Sequence, residues 1–445
     1  MSANPTSEPT EAAPAENAPD PSRGAPGRVR ARRGPQGSRL TSPHANTADP
    51  GKEERAASGV PVVPALDGLR GLAVFMVVAW HCWNLTGNSS PDTLGRLAAG
   101  VLPNGIQLLF LISGFVMFLP TAARGQFGSV SAYALRRVAR IVPAFYLSLA
   151  IVLLFWSQFV VPASPIEYPG PLTVLAHLTF VFEPLTLIDE KTFAPGFGVD
   201  GPLWTLSVEA FFYVTLPFVA MRFRRNPLWG LLIALAIAIG WRLVVDGEIN
   251  QFPGWIGALA AGMFAAQAYV RLIALEPADR VRRLALPVQL LALTAVAGLA
   301  WIAGGQHVVG GREAYHASLQ SIPISTAFPL LLGVLVVATA LAPPRASWLV
   351  TNRAARWIGD RSYGVYVFHA LAFTYIAVHF TRPDRTGGRL EFAKWFVLVG
   401  GVSMLCGWAS YRFVELPARR WARRVTRRRQ TGAAAATPVP EARRP

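Results

Sequence analysis

Residues 65–85 read ALDGLRGLAVFMVVAWHCWNL, the first apolar run of the chain and long enough to cross a bilayer. Arg70 stands near one end of it and His81 lies further in. Ionisable groups at membrane depth are costly and, where present, face the protein interior. On a helix the two residues are separated by about 1,100° of rotation, roughly 20° from full alignment, and by about 16 Å of rise. Both side chains are therefore expected to look into one groove at different depths. Two readings fit: a guanidinium snorkelling at the inner boundary with a histidine that glues helices, or an anion-binding Arg beside a general base, work that suits an imidazole with an ordinary pKa of about 6.5.

The composition generalises what this stretch announces. Of 445 residues, 52% are hydrophobic and only 15% charged, against about a quarter charged in a soluble protein, and the mean hydropathy is +0.35. About eleven apolar runs follow one another, near 66–86, 104–122, 141–162, 172–188, 204–222, 227–245, 252–273, 285–304, 321–342, 363–380 and 393–413. The net charge of +17 does not point to nucleic acid, because the arginines fall between apolar runs and in the tail, where cytoplasmic loops carry them. Cys82 and Cys406 lie inside apolar runs and imply neither a disulfide framework nor a thiolate metal site.

Loop charge sets the expected topology. If all eleven runs crossed with the N-terminus inside, the loop MRFRRNP would fall outside, against the positive-inside rule. The run LTVLAHLTFVFEPLTLI, with His177, Glu183 and Pro184, is the weakest candidate, and making it re-entrant or interfacial removes the conflict. The expectation is an all-α polytopic membrane bundle of about ten transmembrane helices plus that segment, in the plasma or inner membrane, with both termini cytoplasmic. Residues 1–60 read as a disordered N-terminal region, 61–420 as the transmembrane domain and 421–445 as a basic disordered tail that anchors on an anionic leaflet. No short apolar segment precedes Ala65, so the first span is expected to direct insertion itself.

Further polar residues recur at membrane depth. Ser113-Gly114 in NGIQLLFLISGFVMF suits close helix contact. In SAYALRRVARIVPAFY, Arg136, Arg137 and Arg140 share a broad helical face before Pro143, which is expected to open the third span. Topology alone accounts for such bases, and so does a grip on the phosphates of a nucleotide-like donor. Glu209 in DGPLWTLSVEAFFYVTLPF serves either a structural ion pair or the orientation of a histidine. IGDRSYGVYVFHALAF puts Tyr363, Tyr366 and His369 on successive turns, and SYRFVELPARR sets Arg412 and Glu415 at i,i+3, an expected inner-boundary salt bridge. His307 and His316 do not make a metal pair by spacing, and no metal site is expected.

In sequence order, DGLRGLAVFMVVAWHCW, SGFVMF followed by LRRVARIVPAFY, LWTLSVEAFFYVTLP, and IGDRSYGVYVFHA with YRFVELP resemble the acyltransferase-3 family of integral membrane O-acyltransferases, across about Pro64–Arg420. The resemblance implies a fold of about ten spans and acylation of sugars of surface polysaccharides or of macrolides. It implies His81 as the catalytic histidine with Arg70 as its partner, and Arg140, Glu209 and His369 as members of the core site; the candidate catalytic set is therefore His81, Arg70 and Glu209, and the candidate substrate-binding set Arg136, Arg137, Arg140, Ser113, Tyr213, Tyr366 and His369. It also implies acyl-CoA, most simply acetyl-CoA, as co-substrate with no bound cofactor, and a hydroxylated carbohydrate or macrolide-like acceptor as partner besides the lipid bilayer. One departure stands out: where the family commonly has Asp in GVDLFF, this chain has Gln107 in GIQLLF, a neutral amide that cannot offset an imidazolium. Some family members append an SGNH esterase-like domain, for which the tail here is too short, so direct transfer to the acceptor is expected. A polytopic transporter of a small anionic or sugar-like solute is the rival, although no duplicated half with interrupted helices is evident.

Overall fold

The computed structural model describes residues 59–86, 101–161, 164–245, 250–275, 326–342 and 347–435, with scattered positions within 95–100 and 287–299. Helices dominate and, among the described residues, no strand occurs. Eleven of them carry the architecture: α1 Ala65–Leu85, α2 Gly105–Arg124, α3 Val130–Leu154, α4 Pro171–Leu178, α5 Trp204–Arg225, α6 Pro227–Val244, α7 Phe252–Ile273, α8 Ala327–Leu341, α9 Arg353–His379, α10 Gly388–Ser410 and α11 Leu416–Ala435.

Seven helices among the described residues are long and apolar enough to cross a membrane. α9 has the length, 27 residues, and carries Arg353, Arg356, Asp360 and Arg361 in its opening turns. The outward faces are apolar, with Phe218, Val244 and Leu390 each more than 80% exposed, as lipid-facing helices require. This is a polytopic helical membrane protein. The run near 285–304 and the loop with His307 and His316 lie largely outside the described residues.

The structure agrees with the sequence expectation at one segment and departs from it at two, each for a physical cause. The run 172–188 forms only the eight-residue α4 and a turn of helix at Phe182–Leu185. At about 12 Å, α4 is too short to cross, as the re-entrant reading required. The third span opens not at Pro143 but at Val130, where Ser129 Oγ accepts the Ala132 amide at 3.3 Å; Pro143 sits inside α3, tolerated because neighbouring helices hold the freed carbonyl's turn in place. At the other end, helix continues through a π turn, Tyr411–Glu415, into α11 as far as Ala435, where a disordered tail was expected from residue 421. α11 packs along α3 and buries Leu416, Ala422 and Thr426, so its arginines are held on an amphipathic rod.

The same π turn undoes the expected Arg412–Glu415 bridge. Its wider spacing moves the i+3 neighbour off the shared face. Glu415, 1% exposed, accepts from Ser410 Oγ at 3.2 Å, while Arg412 lies over the Phe413 ring.

α1 is the central rod, packed by α2, α9 and α10 and burying Ala73, Val74, Val78 and Cys82 completely. The tightest seam joins α2 to α7. A Cβ on Gly114 would collide with the Leu259 carbonyl oxygen, and one on Gly262 with that of Leu111. Two backbones in mutual contact need glycine on both sides. This bears out Gly114 as a close-contact residue and, by the same rotation, turns Ser113 away from α7 toward α5, where Glu209 meets it.

Candidate active site

A partly open groove runs between α1, α2, α3, α5 and α9. Each helix supplies what its sequence register dictates. α1 contributes Arg70, α2 Ser113, α3 Arg137 and Arg140, α5 Thr205, Glu209 and Tyr213, and α9 Tyr363 and Tyr366. Arg136 lies on α3 but is not among the described residues lining the groove. Three guanidinium groups against one carboxylate make the cavity cationic, the charge a polyphosphate requires.

Glu209 is fully engaged. Ser113 Oγ donates to Oε1 at 2.5 Å and the Tyr213 hydroxyl to Oε2 at 2.7 Å. Tyr133 in turn donates to the Tyr213 carbonyl at 3.1 Å. The Arg137 guanidinium stands 5.9 Å from the Tyr133 ring and 6.0 Å from that of Tyr213, at cation–π range of both. Both Glu209 oxygens are thus held from the protein side, one by Ser113 and one by Tyr213. Behind Arg140, the buried Glu415 lies within electrostatic reach of Arg140, Arg361 and Arg419, and Arg361 stacks 3.9 Å from the Trp357 ring centroid and 4.9 Å from that of Tyr411.

Neither His81 nor His369 is among the residues lining the groove. The His81 and His369 ring centroids are 5.2 Å apart, and Tyr366 and His369 5.4 Å. Tyr366 is held at both ends of its hydroxyl: it donates to the Pro202 carbonyl at 2.7 Å and accepts from Thr205 Oγ1 at 2.7 Å. Tyr363 donates to the Ile141 carbonyl at 2.7 Å, pinning α9 to α3. Arg70 thus lines the groove, while His81, expected to look into the same groove, is not among its lining residues and lies against a second imidazole.

Some polar residues prove structural. His177 is completely buried, stacked on Phe182 at 4.3 Å with rings 3° from parallel, its Nδ1 bonded to the Thr173 carbonyl at 2.8 Å. Burial pushes its pKa down to about 4. Gln251 donates to the Glu183 carbonyl at 2.8 Å and ties that turn to the start of α7. Gln107, in the first turn of α2, donates to Asn104 Oδ1 at 3.1 Å. Among the described residues, no group of three or more His, Cys, Asp or Glu could hold a metal ion.

One buried carboxylate that no motif marks is Asp200, the first letter of DGPLW. It is completely buried, its carboxylate oxygens have no hydrogen-bond partner among the described residues, and burial drives its pKa well above the usual carboxylate range. An Asp directly ahead of an apolar helix reads as a cap, so no local signal sets it apart.

Comparison with known proteins gives this geometry a context. The family model described as acyltransferase domain, Acyl_transf_3, matches residues 63–412. A peptidoglycan O-acetyltransferase, OatA, of Listeria monocytogenes is 26% identical over 375 residues, covering 80% of this chain and 56% of that protein. Nodulation protein 10 of Rhizobium leguminosarum is 26% identical over 333 residues, covering 70% of this chain and 83% of that protein. The O-acetyltransferase OatA of Staphylococcus aureus is 23% identical over 378 residues, 80% and 57% of the two chains. The chain thus spans a little over half the length of the O-acetyltransferases it matches.

Proposed function

Because the chain belongs to the acyltransferase-3 family, we propose that it moves an acyl group, most simply acetyl, from cytoplasmic acyl-CoA to a hydroxyl of a cell-envelope glycan, glycolipid or macrolide-like acceptor. The observation that carries the proposal is the cationic groove that Arg70, Arg137 and Arg140 share with Ser113, Glu209 and Tyr213, with Tyr366 in its lining 5.4 Å from His369 and His369 5.2 Å from His81.

In this reading Arg137 and Arg140 hold the donor phosphates, and the thioester reaches along the groove toward α1. His81 takes the proton of the acceptor hydroxyl as the oxygen bonds to the acyl carbon. Arg70, about 16 Å along α1 from His81, holds a donor phosphate within the groove. The carbon–sulfur bond then breaks, and the departing CoA thiolate takes the proton back from His81, so the histidine ends as it began. Ser113 and Tyr213, both donating to Glu209, fix the groove's polar wall. The basic end of the bundle faces the cytoplasm, with both termini, and the acceptor is a hydroxyl-bearing molecule because proton removal by a general base is what an alcohol nucleophile needs.

The test is transfer by purified protein in lipid nanodiscs. Labelled acetyl-CoA with cell-wall fragments, glycolipid or a macrolide is expected to yield labelled ester and one free CoA thiol per ester, and His81→Ala is expected to abolish both. Near-normal ester formation by His81→Ala would remove the general-base assignment. Uptake of solute into vesicles without thiol release would replace acyl transfer with transport.

A further inference from the structure

The proposed reaction leaves His81 needing an orienting partner, because Glu209 is committed to Ser113 and Tyr213. His369 meets the requirement. Its Nδ1 lies 2.5 Å from the Tyr366 carbonyl oxygen. A carbonyl only accepts, so Nδ1 carries the hydrogen and the neutral ring bares a lone pair on Nε2. That Nε2 belongs to a residue 1% exposed and has no hydrogen-bond partner among the described residues. A buried acceptor left in that state is costly.

The aromatic ring closest to His369 is that of His81, with centroids 5.2 Å apart and planes at 45°. Two imidazoles joined by one N–H···N bond of about 3 Å have centroids roughly 5 Å apart, so a small ring rotation connects them. The support behind His369 is rigid: Tyr366 is one turn back on α9, and its hydroxyl is clamped between Pro202 and Thr205.

We infer that His369 is the positioning residue for His81. Its Nε2 accepts the hydrogen of one His81 nitrogen, which fixes the tautomer whose other nitrogen is free to take the acceptor's proton. When His81 becomes an imidazolium, the same bond shares its charge. His369 makes and breaks no covalent bond, and its Nδ1–H stays on the Tyr366 carbonyl throughout. This assignment rests on the acyl-transfer reading for its purpose, but the pairing itself is a property of the resting protein.

Two measurements on the full chain in nanodiscs decide it. The first is nitrogen-15 NMR of histidine-labelled protein without substrate, with signals assigned by loss in His81→Ala and His369→Ala. His369 is expected as the neutral Nδ1–H form and His81 as one fixed tautomer that becomes a mixture in His369→Ala. A His369 protonated on Nε2, or a His81 signal indifferent to His369, overturns the inference. The second compares His369→Asn, whose amide keeps the bond to Tyr366 but stops short of His81, with His369→Gln, whose amide oxygen reaches it. Asn is expected to lower kcat about 100-fold with donor KM changed less than about twofold, and Gln to retain more than about a tenth of kcat. Equal rates in the two variants overturn it as well. Wild-type protein with no acyl transfer but the expected tautomers would strike the proposed function and leave the pair standing, since NMR needs no reaction.

Discussion

At the scale of single residues, polar groups in this bundle divide by whether they line the groove or are sealed in the core. Arg137 and Arg140 face a cavity from α3 and are predicted to act on the donor rather than on chemistry. Arg140→Ala is expected to raise the donor KM about tenfold or more, the loss of a charge-assisted contact, with kcat changed far less; initial rates against acyl-CoA concentration check it. His177 stands at the other extreme, sealed between Phe182 and Phe197 with its pKa pushed down to about 4. An unfolded histidine titrates near 6.5, so between about 4 and 6.5 the unfolded chain binds the extra proton. The stability His177 contributes is full above about pH 6.5 and falls as pH drops toward 4, by an amount on the order of 3 kcal/mol. Thermal melts in detergent at pH 7.5 and 4.5 should therefore separate wild type from His177→Phe, the variant losing less at acid pH. An equal loss in both proteins would refute this.

At the scale of elements, backbone contact rather than side-chain fit holds the α2–α7 seam. Gly262→Val places a branched side chain against the Leu111 carbonyl, and neither backbone can retreat without opening the core around Phe110, Phe115 and Leu259. The expected cost is about 3 kcal/mol or more, seen as a lowered melting temperature and reduced membrane yield, whereas Gly240→Ala on α6, with open space at its Cβ, should be near neutral. The elements themselves are largely legible in the sequence: apolar runs place α1, α2, α5, α6, α7 and α10 within a few residues, because span length and hydropathy are local properties. Helix ends are less so. α3 begins at a Ser129 cap far upstream of its apolar run, and α11 follows a π turn that no local pattern announces. For the site, composition and spacing mark Arg70, His81, Glu209 and His369 one by one, but not who meets whom. Ser113 and Glu209 are 96 residues apart, and the pairing of His81 with His369 instead of Glu209 is set by how α9 packs on α1. Asp200 is invisible for the same reason, since its burial is imposed by tertiary structure.

For the whole molecule, charge is polarised along the bundle axis. Arg124 at the end of α2 and Arg222, Arg224 and Arg225 at the end of α5 come together, the Arg224 guanidinium lying at the Gly125 turn. The start of α1 meets the start of α9 there too, with Asp67 over Gly359 and Gly68 against Val350, which adds Arg353, Arg356 and Arg361 to the same end. α11 then runs its arginines along α3 beside Arg140. The opposite end, at the α9–α10 turn, offers Arg382 and Arg385 with Asp384 between them. By the positive-inside rule such asymmetry predicts insertion with the basic end in the cytoplasm, where an anionic leaflet adds about 1 kcal/mol per Lys or Arg near the surface. On that prediction the arginines of the groove lie toward the side from which the proposed acyl-CoA donor would come. Alkaline phosphatase fused after Asp384 is therefore expected to be active, as only exported phosphatase is, and green fluorescent protein fused after Pro445 to fluoresce, as only cytoplasmic protein does. A dark C-terminal fusion paired with an inactive phosphatase would invert the molecule, put the guanidinium groups of the groove on the wrong side for a cytoplasmic donor, and require the acyl group to arrive from outside.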